Sequence, residues 1–181
     1  MTDGGERRAR FEALAPELIE PLRRFLARRT DAATADDVLS DTLLVCWRRL
    51  DDIPAQPLPW AYGVARNCLA NAQRSRRRQT RVAGRMATLE RPTEAASAQA
   101  PSDSSLDVAL HDALAALRPD ETELLRLWAW EQLTPAEIAT VLDLTSNAVS
   151  LRLLRVKDRL REELRKNQAG AGHEGAERRQ P

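Results

Sequence analysis

The sequence predicts an all-α protein made of two small helical domains joined by a flexible linker. Three observations lead there. Apolar residues recur at three- and four-residue spacing in two stretches, 9–79 and 106–166. Between them, 80–105 is rich in Ala, Ser, Thr and Gln, carries Pro92 and Pro101, and has little periodicity. No stretch carries the apolar–polar alternation of a half-buried strand.

The elements follow in order. Residues 1–8 read as a frayed tail. Over 11–29, Phe11, Leu14, Leu18, Leu22, Phe25 and Leu26 mark a helix or a helix pair, which Pro16 and Pro21 would start or bend. A polar break spans 30–35. The clearest helix is 35–50, with Leu39, Leu43, Cys46, Trp47 and Leu50 on one stripe and Val38 and Thr42 beside it. Asp36 and Asp37 sit in its expected first turn and Arg48 and Arg49 in its last, as the helix dipole favours. Three prolines, Pro54, Pro57 and Pro59, make 51–59 a loop. A third helix runs from 60 to about 78. Val64 and Cys68 point inward with Trp60 as a further candidate, Tyr62 and Leu69 lie on neighbouring positions, and arginines crowd its end. The linker follows, with a helical extension at its start.

Order returns with Leu106, Leu110, Leu114 and Leu117 on a helical stripe. Residues 118–121 break and restart the helix, with Pro119 at its first position. Leu124, Leu125, Leu127 and Trp128 carry it to about 131. The stretch 133–157 then reads as a helix-turn-helix. Thr134 is an N-cap, Pro135 fits the first helical position, and Glu137 completes a capping box. Ile138, Ala139 and Leu142 give a short apolar face. Residues 143–145 form the turn, where Asp143 tolerates a left-handed backbone. Thr145 caps a second helix whose apolar face is Val149, Leu153 and Val156. That helix runs to about 165, and 167–181 reads as a disordered tail.

Charge is distributed more tellingly than its total of +1 suggests. Asp31, Asp36, Asp37, Asp41, Asp51 and Asp52 form an acidic tract. From 53 to 89 there is no acidic residue, while Arg66, Arg74, Arg76, Arg77, Arg78, Arg81 and Arg85 accumulate. A second basic set holds Arg152, Arg155, Lys157, Arg159, Arg161, Arg165 and Lys166. Separate acidic and basic surfaces suggest more than one macromolecular partner. Hydrophobic residues make up 43% and charged residues 30%, as expected of a soluble chain. No apolar run approaches the roughly 20 residues of a membrane span. No apolar segment follows the N-terminal charges, so no signal peptide is expected. Cys46 and Cys68 lack metal or redox spacing and read as small core residues of a reduced, cytoplasmic protein.

Enzyme motifs are missing from the sequence. It has no glycine-rich phosphate loop, no H-E-x-x-H and no paired Cys/His spacing. Its only histidines are His111, on an expected surface helix, and His173, in the tail. No catalysis, cofactor, metal or small-molecule substrate is therefore expected. Taken singly, the acidic helix reads first as a solvated face and the loop as a connector. The third helix reads two ways: Trp60 and Tyr62 as core, or aromatic and arginine side chains set for unstacked bases.

The order of the parts is more specific than any of them. A-D-D-V-L-S-D-T-L-L-V-C-W-R-R-L, a Pro-rich loop, and W-A-Y-G-V-A-R-N-C-L-A-N-A-Q-R-S-R-R-R resemble conserved region 2 of extracytoplasmic-function (ECF) sigma factors. L-H-D-A-L-A-A-L-R-P-D-E-T-E-L-L-R-L-W-A-W-E-Q-L-T-P-A-E-I-A-T-V-L and the helix after it resemble region 4. The resemblance implies a bacterial promoter-specificity subunit of RNA polymerase. It carries over Asp37, Ser40, Asp41 and Arg48 as contacts to the clamp helices of the polymerase largest subunit. Ser40 and Asp41 stand where the family more often has Gln and Glu. Arg66, Asn67, Asn71 and Arg74 would contact minus-10 DNA, with Gln56 and Trp60 near a captured base. Ser146, Asn147, Ser150, Leu151, Leu154 and Arg155 would face the minus-35 groove, and Arg152 would serve phosphate or packing. The family commonly has Lys or Arg at the Ser150 position. The flap of the second-largest subunit and an anti-sigma factor are further implied partners. Two other readings stay open on the residues: a stand-alone helix-turn-helix regulator, which needs only 106–166, and a helical adaptor that binds protein alone.

Overall fold

Every regular element among the described residues is helical. The computed structural model describes residues 3–84, 110 and 112–174. They belong to two compact units, one built on the first three long helices, the other on the last helix and most of the two before it.

In the first unit, α1 (Asp3–Ala27), α2 (Ala32–Arg48) and α3 (Pro57–Gly84) each pack on the other two. Leu18, Leu22, Phe25 and Leu26 of α1 are fully buried, a helical stripe that continues past both internal prolines. Neither proline starts a second helix. The N-terminal residues are not a frayed tail from residue 3 onward, because α1 already includes them and Arg7 is tied to Asp51 at 2.8 Å.

Helix α2 begins before the expected boundary, inside the stretch read as a polar break. Asp31 is its N-cap and accepts from the Thr34 amide at 3.0 Å. Asp36 and Asp37 therefore lie beyond the first turn, where the dipole contributes less. The inward stripe is Ala35, Val38, Leu39, Thr42 and Cys46, followed by Leu50; Leu43 and Trp47 are half-buried. Thr42 enters the core because its hydroxyl donates to the Val38 carbonyl at 2.7 Å, so no polar atom is stranded.

The expected loop over 51–59 is shorter. Leu50–Asp52 is a 3-10 turn, and α3 starts at Pro57, where a missing amide costs a helix nothing. The inward residues of α3 are Ala61, Tyr62, Ala65 and Leu69, whereas Trp60, Val64 and Cys68 are half-buried. Two alanines allow close backbone approach, which rotates this face from the one expected.

Asp31 also receives Arg76 Nη1 at 3.0 Å, so the cap of α2 is bolted to α3. The Thr34 amide and hydroxyl and the Arg76 guanidinium hold its carboxyl well below the usual carboxylate range. Such a group stabilises the fold above its unfolded pKa of about 3.9, and the contribution is lost as pH falls through the lower folded value. Asp31→Asn keeps the cap and removes the titration. Without the charge it loses the Arg76 ion pair, so it is expected to be less stable than wild type near pH 7 and to lose less stability from about pH 4 downward. Thermal unfolding followed by circular dichroism across that range checks this.

In the second unit, a short helical segment at 112–115 precedes α4 (Pro119–Ala129), α5 (Pro135–Leu142) and α6 (Ser146–Glu174). Ala113 and Leu117 are buried, but Leu110, expected on the inward stripe, is 40% exposed. Leu124, Leu125 and Leu127 form the inner face of α4, which stops at Ala129 rather than 131. Glu121 accepts from the Arg118 amide at 2.9 Å and from Arg159 at 3.1 Å, joining the start of α4 to α6. Gln132 turns the chain into α5 with φ at 55°, a left-handed conformation costing a non-glycine residue about 1–2 kcal/mol.

The α5 cap is formed as the sequence predicts. The Thr134 amide and hydroxyl donate to Glu137, and the Glu137 amide donates back to the Thr134 hydroxyl oxygen. Those donors lower the Glu137 pKa. Ile138 and Ala139 are buried and Leu142 only partly. Asp143 is left-handed at φ 54°. Thr145 caps α6 through the Ala148 amide at 3.2 Å, and Val149, Leu153 and Val156 are its buried face. Helix α6 continues through 167–174, part of the expected disordered tail, each added residue extending the main-chain hydrogen-bond ladder by one. The expected linker beyond residue 84, Arg85, Leu106, His111 and 175–181 lie outside the described residues.

Candidate functional site

Three exposed helix faces carry the sequence-predicted residues. On α2, Asp37, Ser40, Asp41 and Arg48 are all exposed and share one side at helical spacing. Asp36 joins them. Among the described residues, none of Asp36, Asp37 and Asp41 enters an ion pair, although the chain is rich in arginine. Ser40 does not extend the acidic face, because its hydroxyl donates back to the Asp36 carbonyl at 3.0 Å. Leu44 stands 45% exposed between Asp41 and Arg48. It was not expected in the site: the sequence periodicity places Leu43 on the inward stripe and assigns Leu44 no role.

On α3, Arg66, Asn67, Asn71 and Arg74 are exposed on successive turns. Arg74 donates to the Asn71 side-chain carbonyl, which orients both. Gln56 is exposed in the short loop before the helix, and Trp60 is half-buried in its first turn. The Arg49 guanidinium lies 5.6 Å from the Trp60 ring centroid, a cation–π contact the sequence did not signal. The arginine run divides by role. Arg76 is committed to Asp31, whereas Arg66, Arg77, Arg78 and Arg81 are exposed without an ion pair among the described residues.

The basic set of α6 divides more sharply. Arg159 is held by Glu121, Arg161 by Asp158, Arg165 by Glu162 and Lys166 by Glu163. Lys157 sits over the Trp128 ring at 3.4 Å. Arg152 and Arg155 alone of this set have no such partner among the described residues, and both are exposed. Ser146, Asn147, Ser150, Leu151 and Leu154 share the open side of the helix, with Leu151 48% and Leu154 58% exposed. The Ser150 hydroxyl donates to the Ser146 carbonyl at 3.0 Å and so offers a groove only its acceptor side.

The cysteines take no part in these faces. Cys46 is buried, and that burial pushes its thiol up to about 11; burial also raises Cys68. Both stay protonated and poorly reactive near neutral pH. No helix of the described residues is long and apolar enough to cross a membrane.

Comparison with known proteins matches both units. Residues 11–79 fit the family model for sigma-70 region 2, and residues 107–160 fit the model for sigma-70 region 4. The ECF RNA polymerase sigma factor SigL of Mycobacterium tuberculosis is 31% identical over 150 residues, covering 80% of this chain and 83% of SigL. The probable RNA polymerase sigma factor RfaY of Xanthomonas campestris pv. campestris is 31% identical over 145 residues. That alignment covers 77% of this chain but only 36% of RfaY. Among solved structures, CnrH in complex with the cytosolic domain of CnrY superposes with a TM-score of 0.55 at 23% identity. It covers 86% of this chain and 88% of CnrH, a likeness of fold.

Proposed function

The chain belongs to the ECF group of sigma-70 RNA polymerase sigma factors, and from that premise we propose that it binds core RNA polymerase and directs promoter-specific initiation. It contributes recognition and no chemistry, and it works in the cytoplasm. The observation that carries the reading is the exposed, unpaired acidic face of α2 in a chain full of arginine. A stand-alone DNA-binding regulator has no use for such a face.

In this reading Asp37, Asp41 and Arg48, with Leu44 at their centre, dock on the clamp helices of the largest subunit. Carboxylates without an internal partner attract a cationic surface, and the apolar leucine supplies contact area once water leaves. Ser40 contributes little, its hydroxyl being occupied within the helix. Arg66, Asn67, Asn71 and Arg74 follow the minus-10 strand. Trp60 and Gln56 stand at the start of α3 where an extruded base is received, since stacking on an aromatic ring offsets part of the unstacking cost. The second unit reads the minus-35 element through α6 and meets the polymerase flap. Family membership supports an anti-sigma factor as a further, controlling partner.

The test is reconstitution. Wild-type chain with core polymerase is expected to give discrete promoter-specific transcripts. The double reversal Asp37→Lys/Asp41→Lys is expected to weaken core binding roughly a hundredfold, because like charges then face each other. Its duplex binding through α6 should be unchanged. Tight duplex binding by the wild type without any directed transcript would establish the regulator reading in place of this one.

A further inference from the structure

The first turns of α1 reach back to the far end of α2 and hold the segment from which the DNA-reading loop departs. Arg7 Nη1 donates to Asp51 Oδ2 at 2.8 Å. Arg7 Nη2 donates to the main-chain carbonyls of Trp47 at 2.8 Å and Arg48 at 3.1 Å. Arg10 Nη1 donates to Asp51 Oδ1 at 3.0 Å, and its Nη2 donates to the Leu50 carbonyl at 3.1 Å. Phe11 meets the Trp47 ring edge-on at 5.4 Å, and the Arg7 guanidinium lies 5.5 Å from the same ring. Two planar guanidinium forks thus satisfy both oxygens of one carboxylate and three carbonyls at the end of α2 and in the 3-10 turn.

On the other side, Arg49 Nε donates to Asp52 Oδ2 at 3.0 Å while its guanidinium faces Trp60. Only residues 53–56 separate the clasped turn from α3. With so few residues between two fixed ends, the position of Gln56 is set by those ends. A small rotation of the 3-10 turn would shift Gln56 relative to the start of α3.

We propose that Arg7 and Arg10 are positioning residues for minus-10 recognition, acting through Asp51 to fix the loop that presents Gln56. The proposal rests on the reading of that loop and α3 as the minus-10 reader. It gives the N-terminal turns of α1 a role in base selection although they touch no DNA themselves. The Arg7 side chain is 31% exposed, so its hydrogen bonds are partly shielded from water; Arg10 and Asp51 are more open and each contributes less.

The experiment uses full-length chain, core polymerase and a promoter that the wild type opens. Strand opening is read by 2-aminopurine fluorescence while minus-10 bases are substituted one at a time. Arg7→Ala/Arg10→Ala is expected to lose roughly tenfold in discrimination between preferred and substituted bases, with core affinity and the minus-35 footprint unchanged. The conservative Arg7→Lys/Arg10→Lys, which keeps both charges and a donor for each Asp51 oxygen, should restore part of that ratio. Wild-type discrimination in the double-alanine variant overturns the proposal. So does a loss of opening equal at every base, which is the mark of a merely structural contact. A wild-type chain that opens no promoter fails earlier, at the minus-10 reading itself.

Discussion

Phe25→Ala is expected to unfold the first unit while leaving the second intact. Phe25 is fully buried where the three helices meet, with the Tyr62 ring centroid 4.9 Å away. The Arg29 guanidinium lies 3.6 Å from its ring and donates to the Phe25 carbonyl at 2.8 Å, so the ring also anchors the end of α1. Truncation removes the transfer free energy of an aromatic side chain and leaves a cavity that three helix backbones cannot close, a cost of about 3–5 kcal/mol. A small module has a total margin of the same order. Hydrogen exchange read by mass spectrometry separates the consequences. Peptides from α1, α2 and α3 should lose protection at 37 °C, and those from α4, α5 and α6 should retain it. Core-polymerase binding should disappear with the first group, while duplex binding persists. Protection retained throughout would mean that the core tolerates the cavity.

The second unit was the more legible in sequence, because its rules are local. A capping box, a proline at the first helical position and an Asp able to turn left-handed are decided within a few residues, and Thr134, Pro135, Glu137 and Asp143 appear as the pattern requires. The inner face of α6 follows from period alone. The first unit was legible as helices but not in detail. Which side of α2 turns inward depends on Thr42 satisfying its hydroxyl within the helix, and apolar counting does not register that. The reach of α1 back to Asp51 is a contact between distant positions, and Arg7 falls in the stretch 1–8 that reads locally as a frayed tail. The same limit governs the arginines. The sequence shows where they accumulate. Only the fold shows that Arg76 and Arg159 hold helices together while Arg152 and Arg155 stand open. Leu44 belongs with these: the period turns Leu43 inward, but the exposure of Leu44 beside Asp41 and Arg48 shows only in the fold.

Arg155→Ala is expected to remove about 1–3 kcal/mol of minus-35 affinity, which is roughly ten- to a hundredfold. Arg155 is exposed on the open face of α6 without an ion pair among the described residues, and its fixed fork suits the paired acceptors on a guanine edge. A base contact of that kind makes the loss depend on sequence. The variant should bind the preferred site poorly and a site mutated at the contacted base about as well as wild type does. Arg152 lies toward the flank beside the buried Leu153, and its alanine variant should behave differently. It should weaken all sequences alike and reduce the magnitude of the salt dependence by about one. Ser150 sharpens the contrast, because its hydroxyl hydrogen is already given to Ser146 and it carries no charge. With only a short, uncharged acceptor at Ser150, base discrimination is expected to fall more heavily on Arg155 and Asn147. Footprinting both arginine variants on a matched and a singly mutated minus-35 duplex, at two salt concentrations, separates these roles. Equal losses for Arg155→Ala on both duplexes would make it a phosphate contact and move base reading to Asn147.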